Sequence, residues 1–206
     1  MNNNAQTVDY SCKFSDGGWS QTNWSFVKRP DTLFTAYCWQ QEKEYIANTK
    51  TAGSKEWNQT AMVLPKMFSG SIKIKARLEV GTGSPAIVFV SQLKNGENGA
   101  KLFERHYEIV FSKNAIGVWC ADYQNKLPWK RIAQMTVALE TDKPIDVEVW
   151  KNDMKPSQRV DYGKQLEIKV RNNNLKISGE MIAEEYYIGI NSGEGLSKFF
   201  DFSYKQ

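Results

Sequence analysis

Hydrophobic and polar residues alternate through most of this chain, which is the pattern of β-strands with one buried and one exposed face. Residues 71–80 (SIKIKARLEV) place aliphatic side chains on one face and charged side chains on the other. The same alternation runs through residues 143–150 (KPIDVEVW), 165–171 (QLEIKVR) and 199–204 (FFDFSY). The pattern therefore predicts a protein built mainly from β-strands.

Segments rich in Gly and Asn interrupt these runs and are typical of turns between strands. The best helix candidates are residues 40–47 (QQEKEYIA) and part of 56–62 (EWNQTAM), and both are short. Many short strands with few short helices favour an all-β fold of two antiparallel sheets packed face to face. The predicted turns are 15–18, 81–85, 94–99, 171–174 and 191–195.

The 206 residues are enough for one β-sandwich domain with a sizeable core. No internal repeat or linker divides them, so we predict a single domain over residues 1–206. Residues 1–9, which are mostly polar, are a candidate for a flexible N-terminal extension.

The order of the sequence blocks resembles the concanavalin-A-like lectin/glucanase superfamily, and within it the 3-keto-disaccharide hydrolase family and related bacterial sugar-associated domains. The resemblance lies in an F-x-G-x-I-x-I strand (68–74), a glycine turn into an apolar strand (81–90) and YEIVF (107–111). It continues in a strand with an Asn-rich hairpin (165–178) and a closing IGI…G…F-x-D-F (188–202). The resemblance implies a jelly-roll sandwich that engages a carbohydrate on its concave sheet.

The net charge of +4 comes from 27 basic and 23 acidic residues scattered through the chain. Without a dense basic cluster, nucleic acid is not an expected partner. The longest apolar runs, such as residues 86–90 (AIVFV), are too short to span a bilayer. The start MNNNAQTVDY lacks the features of a signal peptide. The protein is therefore either cytoplasmic or a mature exported form, and the sugar-associated resemblance favours the exported form.

The three cysteines, Cys12, Cys38 and Cys120, form no CxxC pair and have no metal-ligand spacing. Three free thiols and one disulfide with a free thiol both remain open. Lectins of the resembling superfamily often hold calcium through loop oxygens, so calcium is a candidate cofactor. Residues 15–18 (SDGG) and 120–125 (CADYQN) could supply oxygens, although neither has a diagnostic spacing.

Glucanases of this superfamily carry alternating carboxylates, of the Glu-x-Asp-x-Glu type, on one strand. Two carboxylates about 5 Å apart let one attack the sugar while the other protonates the leaving oxygen. Here Asp146 and Glu148 alternate, but Trp150 takes the third position. A laminarinase-like hydrolase is therefore not expected.

His106, the only histidine, alternates with Glu108 on the strand 101–111. Apolar burial predicts that Tyr107, Ile109 and Phe111 lie between the sheets, which leaves His106 and Glu108 outside that core. The two polar side chains are either an ordinary solvated surface or a sugar-binding and acid–base pair. The resemblance implies that Glu108 lies on the substrate side.

Seven tryptophans are the strongest compositional sign of sugar binding, because C–H patches of sugars stack on aromatic rings. We interpret Trp24, Trp39 and Trp57 as packing residues. Trp129 and Trp150 are consistent with either binding or packing. The proposed site combines catalytic candidates with ligand-binding candidates and no metal. The catalytic candidates are Glu108 and His106, and the ligand-binding candidates are Arg105, Trp119, Trp129, Glu148 and Trp150.

Three classes of function follow from these observations. The favoured one is a carbohydrate-binding or carbohydrate-processing sandwich protein. The alternatives are a glycoside hydrolase or lyase, acting on glycosides such as 3-keto-disaccharides through Glu108, and a structural or adhesion module without a pocket.

Overall fold

The structure is a computed structural model that describes residues 9–30, 39–48, 60–96, 100–153, 164–178, 182–192 and 195–206. Within these ranges the chain forms strands and one short 3₁₀ helix, Gln21–Asn23. The strands are β1 (Asp9–Lys13), β2 (Ser25–Lys28), β3 (Trp39–Gln41), β4 (Ile46–Asn48), β5 (Thr60–Val63), β6 (Phe68–Ser69), β7 (Ile72–Val80), β8 (Pro85–Asn95), β9 (Lys101–Ser112), β10 (Ala115–Asp122), β11 (Leu127–Thr136), β12 (Pro144–Asp153), β13 (Lys164–Val170), β14 (Asn173–Ser178), β15 (Glu185–Ser192) and β16 (Ser197–Lys205).

Two large sheets contain these strands, as the alternation predicts. Sheet I has the order β14–β13–β12–β7–β16–β4–β3, and β1 also pairs with β16. Sheet II contains β11, β10, β9, β8, β15, β5 and β2, with β6 on β15. The strand pairings are antiparallel except for a short parallel contact between β2 and β9. The fold is therefore an all-β sandwich.

Sheet II curls back on itself. The pairings β9–β8, β8–β15, β15–β5, β5–β2 and β2–β9 form a closed circuit of five strands. A circuit of paired strands must enclose one of its faces. We call that face, which points away from sheet I, the inner face of sheet II.

The main core lies between the two sheets and is formed by the apolar faces of their strands. Tyr107, Ile109 and Phe111 of β9 belong to it, which confirms the predicted orientation of this strand. Ile72 and Ile74 of β7 face them from sheet I. The period of two in the sequence therefore predicted the buried side of both strands correctly.

A second, smaller core fills the curl of sheet II. Two irregularities in the β8–β9 ladder help to form it, with Ser91 the extra residue on β8 and Glu104 the extra residue on β9. An extra residue reverses the side to which the following residues point. Phe103 is thereby turned to the face that carries His106. The small core consists of Val27, Ala61, Val63, Val88, Val90 and Phe103.

The first helix candidate is wrong. Residues 40–47 form the β3–β4 hairpin, in which the backbone N–H of Glu42 donates to the carbonyl of Tyr45. The polar run was a tight turn rather than a helix face. In the second candidate, residues 60–62 belong to strand β5 and residues 56–59 lie outside the described residues.

The remaining structural predictions have mixed outcomes. Trp24 is buried in the main core and Trp39 packs against it, whereas Trp57 lies outside the described residues. Cys12 and Cys120 are free thiols, and Cys38 is not among the described residues. Asp9 begins β1, so an N-terminal extension stays a prediction for residues 1–8 only. The described ranges contain no helix with the length and apolar character needed to cross a membrane.

Candidate functional site

His106 and Glu108 project together from β9 onto the inner face of sheet II. They lie outside the main core, as predicted, but they are not solvated. The exposed fraction is 0% for His106 and 5% for Glu108. The alternative of an ordinary surface pair is therefore wrong, because the curl of sheet II covers a face that would be open on a flat sheet.

A hydrogen bond holds Glu108 in this buried position. Asn191 Nδ2 of β15 donates to Glu108 Oε1 at 2.7 Å. His106 Nε2 lies 3.3 Å from the same carboxylate oxygen. Within the described part of the chain, neither ring nitrogen of His106 makes a hydrogen bond. The inner face thus contains a buried carboxylate beside an imidazole with unused hydrogen-bonding capacity.

Aromatic rings surround the imidazole. His106 stacks on Phe103 with ring centroids 4.2 Å apart and planes at 21°. Tyr123 lies parallel to it at 6.0 Å, and Trp129 is tilted against it at 5.4 Å. These contacts explain how a histidine can be completely buried here, since aromatic rings bury large apolar area around it.

Two tryptophans and two arginines also lie on the inner face, where they are more exposed than His106 and Glu108. Trp119 of β10 and Trp129 of β11 stack with centroids 5.6 Å apart and planes at 16°. The Cζ atom of Arg131 lies 5.5 Å from the centroid of the Trp119 ring. The Cζ atom of Arg29 lies 5.5 Å from the centroid of the Trp129 ring. We call these four residues the Trp–Arg cluster. Both indoles are half-buried, and Arg131 is exposed.

Gly117 makes room for this cluster. A Cβ atom at Gly117 would lie 3.1 Å from Trp119 Nε1 and 3.8 Å from the Cδ of Arg131. The indole therefore lies across the bare backbone of its own strand. Any larger side chain at position 117 would push Trp119 away from the sheet.

Arg105 does not belong to the same face. It alternates with His106 and donates from Nη2 to the hydroxyl of Tyr107 at 3.1 Å. Its Nε also lies 3.8 Å from Asp122 Oδ2. Arg105 instead lines a separate open groove of about 620 Å³ with Gln92. Its predicted position on the rim of a common site is therefore wrong.

Glu148 and Trp150 also lie elsewhere. Both belong to β12 in sheet I and face away from the sandwich. Glu148 pairs with Lys73 at 2.8 Å and Lys75 at 3.8 Å, and Trp150 is 38% exposed. The prediction of one constellation fails here, because β12 pairs with β7 in sheet I whereas His106 and Glu108 lie on sheet II. The structure brings together only His106, Glu108, Trp119 and Trp129.

The sequence interpretation missed Arg29, Arg131 and Asn191. Arg131 could have been found, since it follows Trp129 by two residues on one strand and must share its face. Arg29 and Asn191 come from strands far away in the sequence. No local pattern connects them to β9.

Asp122, one of the proposed calcium ligands, already accepts two hydrogen bonds, and calcium binding stays a prediction. Asp122 Oδ1 accepts from the backbone N–H of Asn125 at 3.0 Å, and Oδ2 accepts from its Nδ2 at 2.8 Å. Burial alone would raise the pKa of Asp122, but these hydrogen bonds and the Arg105 charge hold it below its usual value. The carboxylate therefore stabilises a turn. Among the described residues, no group of three His, Cys, Asp or Glu could hold a metal ion.

Several solved structures share this architecture. A protein of unknown function with a galectin-like fold from Bacillus subtilis matches with a TM-score of 0.63 and 9% identity, over 100% of this chain and 98% of that one. A native glycosidic hydrolase matches with a TM-score of 0.62 and 8% identity, over 96% and 95%. The lumenal domain of VIP36 with bound Ca²⁺ and Man3GlcNAc matches with a TM-score of 0.59 and 12% identity, over 94% and 86%.

These similarities establish the fold. The chain shares the β-sandwich fold of these three structures, as its alternating sequence pattern predicts. No protein-family model and no curated protein matches it. The finer resemblance to the 3-keto-disaccharide hydrolase family therefore stays a prediction.

Proposed function

We propose that this protein binds a glycan on the inner face of sheet II, with Trp119 and Trp129 as the principal contacts. The observation that carries the proposal is the Trp–Arg cluster, which continues the inner face of sheet II onto β10 and β11. Indoles offer apolar surface to sugar C–H groups, and guanidinium N–H groups donate to sugar oxygens.

The residues beneath the cluster support it rather than contact the sugar directly. His106 and Glu108 are buried under the tryptophans, and the Asn191 bond keeps Glu108 in one position. Rigid support of this kind lowers the entropy that a binding site loses when ligand arrives. We therefore assign His106 and Glu108 a positioning role in binding.

The solved structures add support at the level of fold. The VIP36 domain was solved with bound Man3GlcNAc, and another neighbour is a glycosidic hydrolase. Sugar binding by this chain still rests on its own residues, since the same fold carries different functions.

Tryptophan substitutions test the proposal. A glycan array identifies a ligand, and titration calorimetry compares wild type with Trp119→Ala, Trp129→Ala and Trp150→Ala. We expect the first two variants to weaken binding by at least about tenfold, roughly 1.4 kcal/mol. Trp150→Ala removes the same side chain from sheet I and should leave affinity unchanged. Equal affinities in all four folded proteins would refute the proposed site.

A second candidate function is hydrolysis or elimination at a glycoside, such as a 3-keto-disaccharide. One observation favours it, namely the 3.3 Å contact between His106 Nε2 and Glu108 Oε1. An imidazole beside a carboxylate can transfer protons. Turnover of keto- and ordinary disaccharides by wild type, with loss in Glu108→Gln, would support this function. Turnover that persists in the variant would exclude Glu108 as the acid or base.

A further inference from the structure

The Trp–Arg cluster also indicates which class of glycan the site prefers, an inference that rests on the proposed function. Here the Trp119 ring is flanked by Trp129 and by Arg131, and the Trp129 ring is flanked by Trp119 and by Arg29. A sugar that contacts either indole therefore also meets a guanidinium group.

The exposure of the charged groups on the inner face supports the same preference. Arg131 is exposed and Arg29 is half-exposed. The carboxylate of Glu108, by contrast, is buried at 5% exposure and bound to Asn191. A ligand that approaches the cluster therefore meets two cationic groups, while the nearby carboxylate is withdrawn beneath the aromatic layer.

A guanidinium group is well suited to bind an acid. Its planar fork of N–H groups matches the two oxygens of a carboxylate or sulfate. The contact between Arg29 Nε and the Tyr123 hydroxyl, at 3.1 Å, holds one of the two guanidinium groups in position. Pre-positioned arginines lose less entropy when they bind.

We propose that the inner face of sheet II binds an acidic saccharide, with the carboxylate or sulfate group of the sugar held by Arg131 and Arg29. The tryptophans provide the apolar contacts of the proposed function, beside the two guanidinium groups.

Matched pairs of saccharides test this inference. Uronate oligomers, such as trigalacturonate, are compared with their methyl esters, which keep the sugar ring and remove the charge. We expect at least a tenfold preference for the free acid. Arg131→Gln and Arg29→Gln should each abolish that preference. Arg131→Lys should retain only part of it, because lysine lacks the planar fork of N–H groups that arginine has. Arg171→Gln, at an exposed arginine of the opposite sheet, is the matched control and should keep the preference.

The outcomes separate this inference from the proposed function. If esters and acids bind equally well and both depend on Trp119, the site binds glycans but the preference for acids is wrong. If Arg171→Gln removes the preference as much as Arg131→Gln does, the effect is one of net charge and the inference also fails. If wild type binds neither acidic nor neutral saccharides across the array, both proposals fall.

Discussion

Asn191 and Glu108 are joined by a 2.7 Å hydrogen bond although their strands are not neighbours. Strand β8 lies between β15 and β9 and presents Ala86 opposite Asn191 and Val88 opposite Glu108. Because these two intervening side chains are small, the longer polar side chains can meet above them. The bond therefore ties three strands of sheet II together across its inner face.

Loss of this bond should destabilise the fold. Glu108→Ala leaves the buried Asn191 amide without its acceptor, and we expect it to lower the free energy of unfolding by about 1–3 kcal/mol. Glu108→Gln keeps an acceptor oxygen at the same place and should cost less. Urea denaturation of the two variants measures the difference. Equal destabilisation would show that the charge, rather than the hydrogen bond, holds Glu108.

Ile109 provides a comparison on the other side of the same strand. Its side chain is fully buried in the main core. Ile109→Ala should lower the free energy of unfolding by about 2–5 kcal/mol through lost burial and a cavity. A chemical denaturation curve checks this value. A smaller effect than that of Glu108→Ala would mean that the inner face contributes more to stability than the main core does.

The sequence predicted the orientation of β9 because alternation is a local property, and Tyr107, Ile109 and Phe111 lie on its apolar side as expected. The burial of His106 could not be predicted in the same way. It depends on the extra residues in the β8–β9 ladder, which alternation does not reveal, and on the return of β2 to β9 from a distant segment. Trp150 was misplaced for a related reason, since alternation does not reveal to which sheet a strand belongs.

A buried lysine outside the site gives a third prediction. Lys151 is 1% exposed, and its Nζ donates to both carboxylate oxygens of Asp153 at 2.7 Å and to the carbonyl of Gly70 at 2.9 Å. Asp153→Asn removes the carboxylate that pairs with this buried ammonium and should destabilise by about 3–5 kcal/mol. Lys151→Met keeps an apolar chain and leaves Asp153, whose side chain is 21% exposed, able to reach water.

Thermal melts compare these two variants. We expect Asp153→Asn to melt at a lower temperature than Lys151→Met. The reverse order would mean that Lys151 contributes through its charge rather than through the packing of its stem on Tyr186, whose ring centroid lies 4.6 Å from Nζ.

Gly189 of β15 is required for the curl of sheet II. A Cβ atom at this position would lie 2.0 Å from the carbonyl oxygen of Met62 on β5. Gly189→Ala should therefore break the β15–β5 pairing and destabilise by about 3 kcal/mol or more. Gly70, with φ of +75° and no atom within 4 Å of a built Cβ, is the control. Gly70→Asn should cost about 1 kcal/mol or less, because Asn tolerates this conformation. Circular dichroism melts measure both, and a Gly189→Ala protein as stable as Gly70→Asn would contradict the close approach.

The last prediction concerns the pH dependence of stability at Asp201 in sheet I. Burial, followed by the nearby charge of Asp146, raises the pKa of Asp201 above its usual value of 3.8. A carboxyl group with a raised pKa in the folded state binds its proton more tightly there than in the unfolded chain. Stability is therefore lost as pH rises from the usual pKa through the raised one, and this penalty remains at neutral pH.

Asp201→Asn removes that penalty, and its amide oxygen can still accept the backbone hydrogen bond from Arg77. We expect the variant to melt at a higher temperature than wild type at neutral pH. This advantage should shrink as pH falls through the raised pKa and be lost below the usual pKa of 3.8. Asp16→Asn removes the same charge from an exposed turn and controls for net charge. An Asp201→Asn protein that is less stable than wild type at neutral pH would show that the charged carboxylate contributes favourable contacts to Arg77 and Lys13 that outweigh its burial.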